Sequence, residues 1–433
     1  MKSRIFCKPA KNCCKKMTGG ITAALLTLPI CLAANVQAEN SITSALTGGK
    51  ASANVRVRYE TVDDAALVEE GEALTLRTRL GYETAQFYGF SVLGEFEDIH
   101  TLLGMDEYAP ETVQVPAYAT IQDRSVTEVN RAYLRYRGVA GLDLGYGRQR
   151  IVYDNQRFVG NVGWRQDEQT FDGFTAAYTG LNNFVFNYAY LTQVNGVDET
   201  LDSADIADNL FNVSYGGFSW GKISAYAYLL DHEDETDPTV NAGLRFKTSD
   251  TVGLRFDGGY VLGSAKVWKL LYTAELAAQE YENTAGTLDA DADYSFVEGG
   301  VSYTMPRAVL TGKLAYESLG SDDGAYGFQT PYATKHAFNG WADKFLSTPA
   351  AGLVDTFFTA GVNLTPYAVN IQAVYHEYEA DEGSADFGNE WNLLVSKTFS
   401  PNYSIGVKYA SYSAEDLPYR DTDKLWVWGE FNF

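Results

Sequence analysis

The chain alternates apolar and polar residues along most of its length, and beyond residue 38 it has no apolar run long enough for a transmembrane helix. In residues 53–60 (ANVRVRYE) the apolar side chains occupy odd positions and the polar or charged ones even positions. The same alternation recurs in residues 74–83 and 131–137. A period of two places each set on one face of a β-strand. If such a chain crosses a membrane, it must do so as a closed barrel. The backbone N–H and C=O groups at a free strand edge would find no hydrogen-bond partners in lipid.

The first 38 residues have the features of a secretory signal peptide. A basic start without acidic residues precedes an apolar run at residues 21–34, and Val36-Gln37-Ala38 has the small-x-small form of a cleavage site. We predict cleavage after Ala38, which leaves residues 39–433 as one mature domain. All four cysteines would leave with the signal, so the mature domain would have neither a disulfide nor a thiolate metal site.

Cleavage would also lower the number of basic residues from 33 to 27 against 56 acidic ones, a net charge of -29. This acidity disfavours nucleic acid and anionic membrane surfaces as partners. The 30 Tyr, 23 Phe and 7 Trp fit the aromatic girdles of a transmembrane barrel. Secretion, aromatic content and alternation together predict an integral protein of the bacterial outer membrane.

Connections between the alternating segments fall into nine long loops and eight short turns, three of the turns marked by proline. The longest predicted loops cover residues 98–125, 151–170 and 319–353. The count predicts an all-β, antiparallel up-and-down barrel of about eighteen strands, with long extracellular loops and short periplasmic turns. Residues 242–246 and 252–256 are interpreted as one long strand, because separate strands would give an odd number.

The last predicted strand carries Leu425, Val427, Phe431 and Phe433 on one face. An alternating apolar strand that ends in phenylalanine resembles the signal by which the outer-membrane assembly machinery recognises its clients. The prediction is therefore that Phe433 takes part in contact with that machinery, and that the folded protein is surrounded by lipid and lipopolysaccharide.

Twelve of the sixteen mature arginines lie between Arg56 and Arg165. Seven of them share the lumen-facing parity on the first, second and fourth strands: Arg56, Arg58, Arg77, Arg79, Arg131, Arg135 and Arg137. Guanidinium groups suit carboxylates, so these arginines could form a path for anionic solutes. They could equally form a lumenal salt-bridge network with neighbouring glutamates, since buried charge must be compensated. Both interpretations stay open at this point.

Other residues with potential chemistry give less specific patterns. Tyr133, Trp426 and Trp428 have inward parity and could contact sugars, although most aromatics fit girdles better. Asp289, Asp291 and Asp293 alternate as calcium ligands could, but solvated loop residues would look the same. None of the four histidines has a sequence-local serine or aspartate pattern of a hydrolase, so we predict no catalysis, no cofactor and no catalytic residues.

Two loop regions resemble the alginate-export (alginate porin-like) family of outer-membrane barrels. The first comprises residues 147–151, 155–160, 163–166 and 169–173; the second comprises residues 335–346 (KHAFNGWADKFL), 348–349 and 352–355. The resemblance implies a monomeric eighteen-stranded barrel whose long loops fold inward over an arginine-lined, polyanion-conducting pore. On that basis the candidates for the constriction are Arg148, Arg150, Arg157, Arg165, Lys335 and Lys344. An alternative for the second region is a short amphipathic helix that pins the loop through Trp341, Phe345 and Leu346.

The sequence thus predicts a passive channel for anionic or carbohydrate-type small solutes or polyuronates. The competing hypothesis is a plugged surface barrel with a structural or adhesion role.

Overall fold

The computed structural model describes residues 41–110, 118–198, 202–232, 248–282 and 288–433. The predicted signal peptide, residues 1–38, lies outside these ranges. The described chain consists almost entirely of strands, after one short helix, α1 (Ile42–Thr47), whose Ala45 carbonyl accepts a hydrogen bond from Ala85 at 2.9 Å. Within the described residues, no helix combines the length and the apolar character that a membrane crossing requires.

Eighteen strands form one closed antiparallel sheet, as the alternation predicted. They are β1 (Lys50–Asp64), β2 (Gly71–Glu83), β3 (Phe90–Glu107), β4 (Val126–Tyr136), β5 (Leu142–Gln149), β6 (Thr170–Tyr178), β7 (Phe184–Asn195), β8 (Ser203–Phe218), β9 (Gly221–Leu230), β10 (Ser249–Leu262), β11 (Trp268–Glu282), β12 (Asp289–Met305), β13 (Ala308–Leu319), β16 (Leu353–Leu364), β17 (Val369–Glu379), β18 (Asp386–Ser400), β19 (Tyr403–Ser413) and β20 (Thr422–Asn432). The two-residue strands β14 (Ser321–Asp322) and β15 (Tyr326–Gly327) form a separate small hairpin.

The barrel closes where β1 pairs with β20. Beyond that ladder, Ala53 and Phe433 exchange two backbone hydrogen bonds of 3.0 and 2.8 Å. Because the barrel is closed, neither terminal strand has an open edge. The backbone groups of both strands are therefore hydrogen-bonded, as they must be in lipid.

The barrel buries charge and exposes apolar side chains, the reverse of a water-soluble protein. On β1, Arg56 and Arg58 are buried while Val57 between them is exposed. Leu80 on β2 and Phe96 on β3 are likewise more than half exposed. An exposed apolar band around a charged interior is the pattern of a strand between lipid and lumen.

The short turns and long loops alternate as predicted, with two differences of detail. Strand β3 continues to Glu107, so the loop expected at residues 98–125 is shorter; its described parts are residues 108–110 and 118–125. Strand β10 begins at Ser249, and residues 242–246, expected in the same strand, lie outside the described residues.

Two long loops enter the barrel and supply much of its interior. Loop 3 (residues 150–169) joins β5 to β6, and loop 7 (residues 320–352) joins β13 to β16. Phe158 of loop 3 and Phe328 of loop 7 belong to one apolar cluster with wall residues such as Tyr294. The two loops also form a parallel bridge, Val159 to Tyr332, so they fold as a single unit.

Candidate functional site

Loop 3 covers the arginines of β1 and β2. Arg77 and Arg79 each donate to the Gln166 carbonyl, at 3.2 and 3.1 Å. Arg56 donates to the Gln166 side chain at 2.8 Å, and Arg58 donates to the Trp164 carbonyl at 2.6 Å. Guanidinium groups offer five donors, so the loop backbone can turn its carbonyls towards this wall and satisfy both partners. The four arginines face the interior, but they contact loop 3 and are almost fully buried.

Carboxylates balance the charge of the covered arginines. Arg58 pairs with Asp123, Arg79 pairs with Glu97, and Arg165 of loop 3 reaches Glu60 at 3.0 Å. Although burial opposes its ionisation, Asp123 has a pKa held below its usual range by Arg58 and Arg165. This arrangement corresponds to the salt-bridge network that the sequence left open as an alternative. Whether a solute also reaches these arginines stays a prediction.

A stacked aromatic group joins loop 3, loop 7 and the wall. The ring of Trp164 is parallel to that of His336, with 4.9 Å between centroids, and packs edge-on against Trp426 and Trp428. Lys408 of β19 lies over the rings of Trp164 and Trp341, at 4.2 and 3.8 Å. A buried ammonium group over aromatic faces is stabilised by their quadrupoles. Trp426 and Trp428 therefore do face inward, where they contact Trp164.

Asp343 is the polar centre of the same region. It accepts from His336 Nδ1 at 2.7 Å and from Arg165 and Lys424 at 3.0 Å each. Lys408 donates to the other ring nitrogen of His336 at 2.7 Å. Burial lowers the pKa of His336 to about 3, with Lys408 adding to the effect and Asp343 opposing it. His336 is thus a buried, hydrogen-bonded residue of loop 7 that contacts the wall through Lys408.

Gly340 allows loop 7 to meet the wall closely. It has a φ of +87°, and a Cβ there would lie 2.2 Å from a Glu390 carboxylate oxygen. The backbone N–H groups of Trp341 and Ala342 donate to the other Glu390 oxygen. Only glycine accommodates both the left-handed backbone and the close approach. The predicted amphipathic helix at Trp341, Phe345 and Leu346 is wrong, because this turn allows only a three-residue 3₁₀ helix, Lys335–Ala337, ahead of it.

Arg157 ties loop 3 to both loop 7 and the wall. It donates to Glu317 of β13 at 2.7 Å and to Asn339 of loop 7 at 2.8 Å. Its guanidinium also lies 4.8 Å from the ring centroid of Phe338. The residue is almost completely buried, so it holds the loops in place in this structure.

The remaining predicted residues occupy different places. Arg131, Arg135 and Arg150 line a cavity of about 270 Å³ between β4–β7 and loop 3, while Arg137 lies beside the short β4–β5 turn near Asp143. Lys344 pairs with Asp64 at 2.9 Å. Lys335 is half-buried in loop 7, and its burial, reinforced by Arg157, lowers its pKa to about 8.

Arg148 requires a correction. On β5, Gly145 and Gln149 line the small cavity, so Arg148 takes the opposite parity, that of the exposed Tyr146. It pairs with Asp172 at 2.9 Å on the neighbouring strand β6. The prediction that placed Arg148 at the constriction is wrong, because side chains alternate between the two faces of a strand.

A large cavity lies on the opposite side of the lumen from the arginine-rich wall. It has a volume of about 830 Å³ between loop residues 154–155 and 337–341, the strands β9–β13, and β16 and β17. Its basic lining residues are Lys222, Arg255, Lys269 and Lys313, and its aromatic ones include Trp220, Tyr272, Phe338 and Trp341. Lys222 pairs with Asp154 and Lys313 with Glu298, whereas Lys269 has no ion-pair partner within 4.0 Å among the described residues.

The sequence did not single out this second wall. Its basic residues lie on four different strands, so no stretch of the sequence is rich in basic residues there. The sequence could have indicated this wall only through the strand positions of these residues, which all point inward.

The predicted calcium ligands and a second carboxylate group differ in geometry. Asp289, Asp291 and Asp293 are exposed at alternate positions on β12. In the described ranges, the one group of three carboxylates whose oxygens lie within 4.8 Å of one another is Glu97, Glu128 and Asp167. The assignment of calcium to the β12 aspartates stays a prediction.

Comparison with known proteins agrees with this geometry. The family model described as alginate export matches residues 51–323. A search among curated protein sequences finds no match. The fold is similar to that of Pseudomonas aeruginosa OccD3 (OpdP), with a TM-score of 0.65 at 12% identity over 92% of this chain and 94% of that one.

Two further solved structures are similar to the same degree. Acinetobacter baumannii OccAB2 has a TM-score of 0.67 at 13% identity, covering 90% of this chain and 99% of that one. Pseudomonas aeruginosa OpdK, solved with vanillate, has a TM-score of 0.63 at 14% identity with the same two coverages. At such identities the likeness concerns the fold alone.

Proposed function

The chain belongs to the alginate export family, and from this premise we propose that it is a passive outer-membrane channel for anionic, carbohydrate-type solutes. The bacterial outer-membrane location and the porin-like barrel follow from the family and the fold. Alginate export proteins and fold relatives of this kind are transport channels, not enzymes. The proposal adds the class of solute and the path that it takes.

The observation that carries the proposal is the large cavity with basic and aromatic side chains. Lys269 offers an ammonium group without an ion-pair partner among the described residues. Lys222 on β9 and Lys313 on β13 line the same cavity. Trp220 and Phe338 provide flat apolar faces in the same space. A uronate sugar presents a carboxylate and an apolar ring face, and these are the two features that such a lining can bind.

On the other side of the lumen, the small cavity offers a second basic surface. Arg131 and Arg135 line it, with Glu95 and Asp143 as their ion-pair partners. These arginines are partly exposed, unlike those covered by loop 3. We propose that Arg131 and Arg135, not Arg56 or Arg58, are the arginines that a solute meets in the conformation described.

A second candidate function, the plugged surface barrel, is favoured by one observation. Loops 3 and 7 are held inside the barrel by buried ion pairs, hydrogen bonds and stacked rings, such as Arg157 to Glu317 and Trp164 to His336. If these contacts never open, the barrel carries no current and the exposed loops serve lipopolysaccharide or cell-surface contacts.

Single-channel current across a lipid bilayer separates the two functions. We expect a conducting pore whose reversal potential in a salt gradient indicates anion preference and whose current is blocked by a uronate oligomer. Lys269→Ala and Arg135→Ala should each weaken the block severalfold, while the matched lipid-side control Leu80→Ala should not. A pore that ignores the oligomer would contradict the proposed solute. No current at all would favour the plugged barrel.

The proposed partners follow from the same assignment. We propose that the barrel functions as a monomer in lipid and lipopolysaccharide, and that the assembly machinery recognises its last strand through Phe433. Phe433 is exposed at the end of the chain, next to the β1–β20 closure. A Phe433→Ala variant that reached the outer membrane at the normal level and rate would contradict that role.

A further inference from the structure

Three carboxylates from separate parts of the chain meet at the inner wall beside loop 3. Glu97 on β3 and Glu128 on β4 stand opposite each other in the antiparallel ladder. Asp167 of loop 3 completes the group, and one oxygen from each carboxylate lies within 4.8 Å of the others. Unlike the exposed aspartates of β12, these groups are brought together by the fold and not by adjacent positions on one strand.

The Asp167 carboxylate points into this group without a hydrogen-bond donor. Asp167 is 1% exposed, and among the residues that the structure describes neither of its oxygens has a hydrogen-bond partner; the same is true of one Glu97 oxygen. The nearest cation is Arg124, whose guanidinium is 3.6 Å from Asp167 and 4.0 Å from Glu128. A buried carboxylate without donors is costly, so a native structure normally supplies a compensating partner.

The arginines around the group leave part of it without a hydrogen-bond donor. Arg79 hydrogen-bonds to the other Glu97 oxygen but also lies 3.4 Å from Glu168, which in turn pairs with Arg150. Arg124 approaches Asp167 only to 3.6 Å, so both Asp167 oxygens and one Glu97 oxygen keep no hydrogen-bond donor among the described residues.

We propose that Glu97, Glu128 and Asp167 bind a divalent cation, of which Ca²⁺ fits best, and that this ion fastens loop 3 to the barrel wall. Calcium takes oxygen ligands at about 2.3–2.6 Å, so oxygens on opposite sides of the ion are about 4.6–5.2 Å apart. One oxygen from each of the three carboxylates lies within 4.8 Å of the other two, so all three can reach one such ion. Carboxylate oxygens alone suit calcium rather than softer transition metals.

The ion would have both an entry route and a structural effect. Glu128 has a side chain that is 23% exposed, so the group opens to solvent on the β4 side. Asp167 follows Gln166, which hydrogen-bonds to Arg56, Arg77 and Arg79. Holding Asp167 therefore also holds the loop segment that covers the arginines of β1 and β2.

Isothermal titration of the detergent-purified barrel with CaCl₂ at pH 7.5 tests the proposal. We expect one ion per barrel, and at least a tenfold loss of affinity in Asp167→Asn and in Glu128→Gln. The triple variant Asp289→Asn, Asp291→Asn, Asp293→Asn is the matched control and should bind as the unchanged protein does. Heat-modifiable gel mobility establishes that each variant is folded.

Three outcomes would overturn the site. They are that the unchanged barrel binds no Ca²⁺, that Asp167→Asn and Glu128→Gln retain full affinity while folded, and that binding disappears only in the β12 triple variant. If no Ca²⁺ binds and Asp167→Asn melts at a higher temperature than the unchanged protein, a proton shared by Glu97 and Asp167 takes the place of the ion. None of these outcomes depends on whether the barrel conducts the proposed solute.

Discussion

At the residue scale, the hydrogen bonds of His336 favour one protonation state. As an ammonium group Lys408 can only donate, so the ring nitrogen that it contacts carries a lone pair, and the other nitrogen donates to Asp343. An imidazolium would place two cations 2.7 Å apart. Geometry and the low pKa of His336 therefore point to the same neutral tautomer.

This state predicts a pH dependence of stability. His336 has a folded-state pKa of about 3, whereas an unfolded histidine titrates near about 6.5. Between these values the unfolded chain binds the extra proton, so stability falls as the pH drops through that window. His336→Gln should remove this part of the slope in urea unfolding measured at several pH values. An unchanged slope would contradict the neutral histidine, and His100→Gln, an exposed histidine, is the control.

A second prediction at this scale concerns Arg157. Replacing it by methionine keeps the apolar stem but removes the guanidinium that donates to Glu317 and Asn339. Breaking a buried ion pair costs about 3–5 kcal/mol, so the unfolding midpoint in urea should fall clearly. Arg420→Met, at an exposed arginine bonded only locally to the Tyr419 carbonyl, should change it by less than about 0.5 kcal/mol. Equal effects of the two changes would contradict the tie between the loops.

At the element scale, strands were predictable and loop placement was not. The parity of Arg56, Arg58 and Glu60 on β1 follows from a two-residue period that the backbone enforces. Parity also explains the error at Arg148, which was assigned from a loop resemblance rather than from its position on β5. No local pattern shows that Gln166 and Trp164 turn their carbonyls to β1 and β2, because these contacts join residues about a hundred positions apart.

Loop 3 provides the prediction at the element scale. Replacing residues 155–167 by a short glycine-serine linker should enlarge the single-channel conductance severalfold, because Trp164 and Gln166 leave the lumen. Water would then solvate Arg56 and Arg58, which are buried only while the loop is present. Shortening residues 414–421, the connection between β19 and β20, serves as the control. If conductance stays the same, loop 3 does not limit the current.

At the scale of the whole molecule, net charge and lumen charge are separate properties. The mature chain is predicted to carry a net charge of -29, yet the small cavity has three arginines against one aspartate, and the large cavity has four lysine or arginine side chains against four carboxylates. Acidic side chains such as Asp289 and Asp291 are exposed on β12. At an ionic strength of 0.1 M, charges act over about 10 Å, so exposed carboxylates have little influence on an ion deep in the barrel.

Ion selectivity should therefore follow the lumen and not the total charge. The double change Arg131→Gln, Arg135→Gln removes two positive charges from the small cavity, together with the ion pairs that these arginines form with Glu95 and Asp143. We expect the reversal potential in a salt gradient to shift towards cations in this variant. Asp289→Asn, Asp291→Asn, Asp293→Asn alters the net charge by three, yet should leave the reversal potential unchanged. If the β12 change has the larger effect, the outer surface rather than the cavities controls which ions enter.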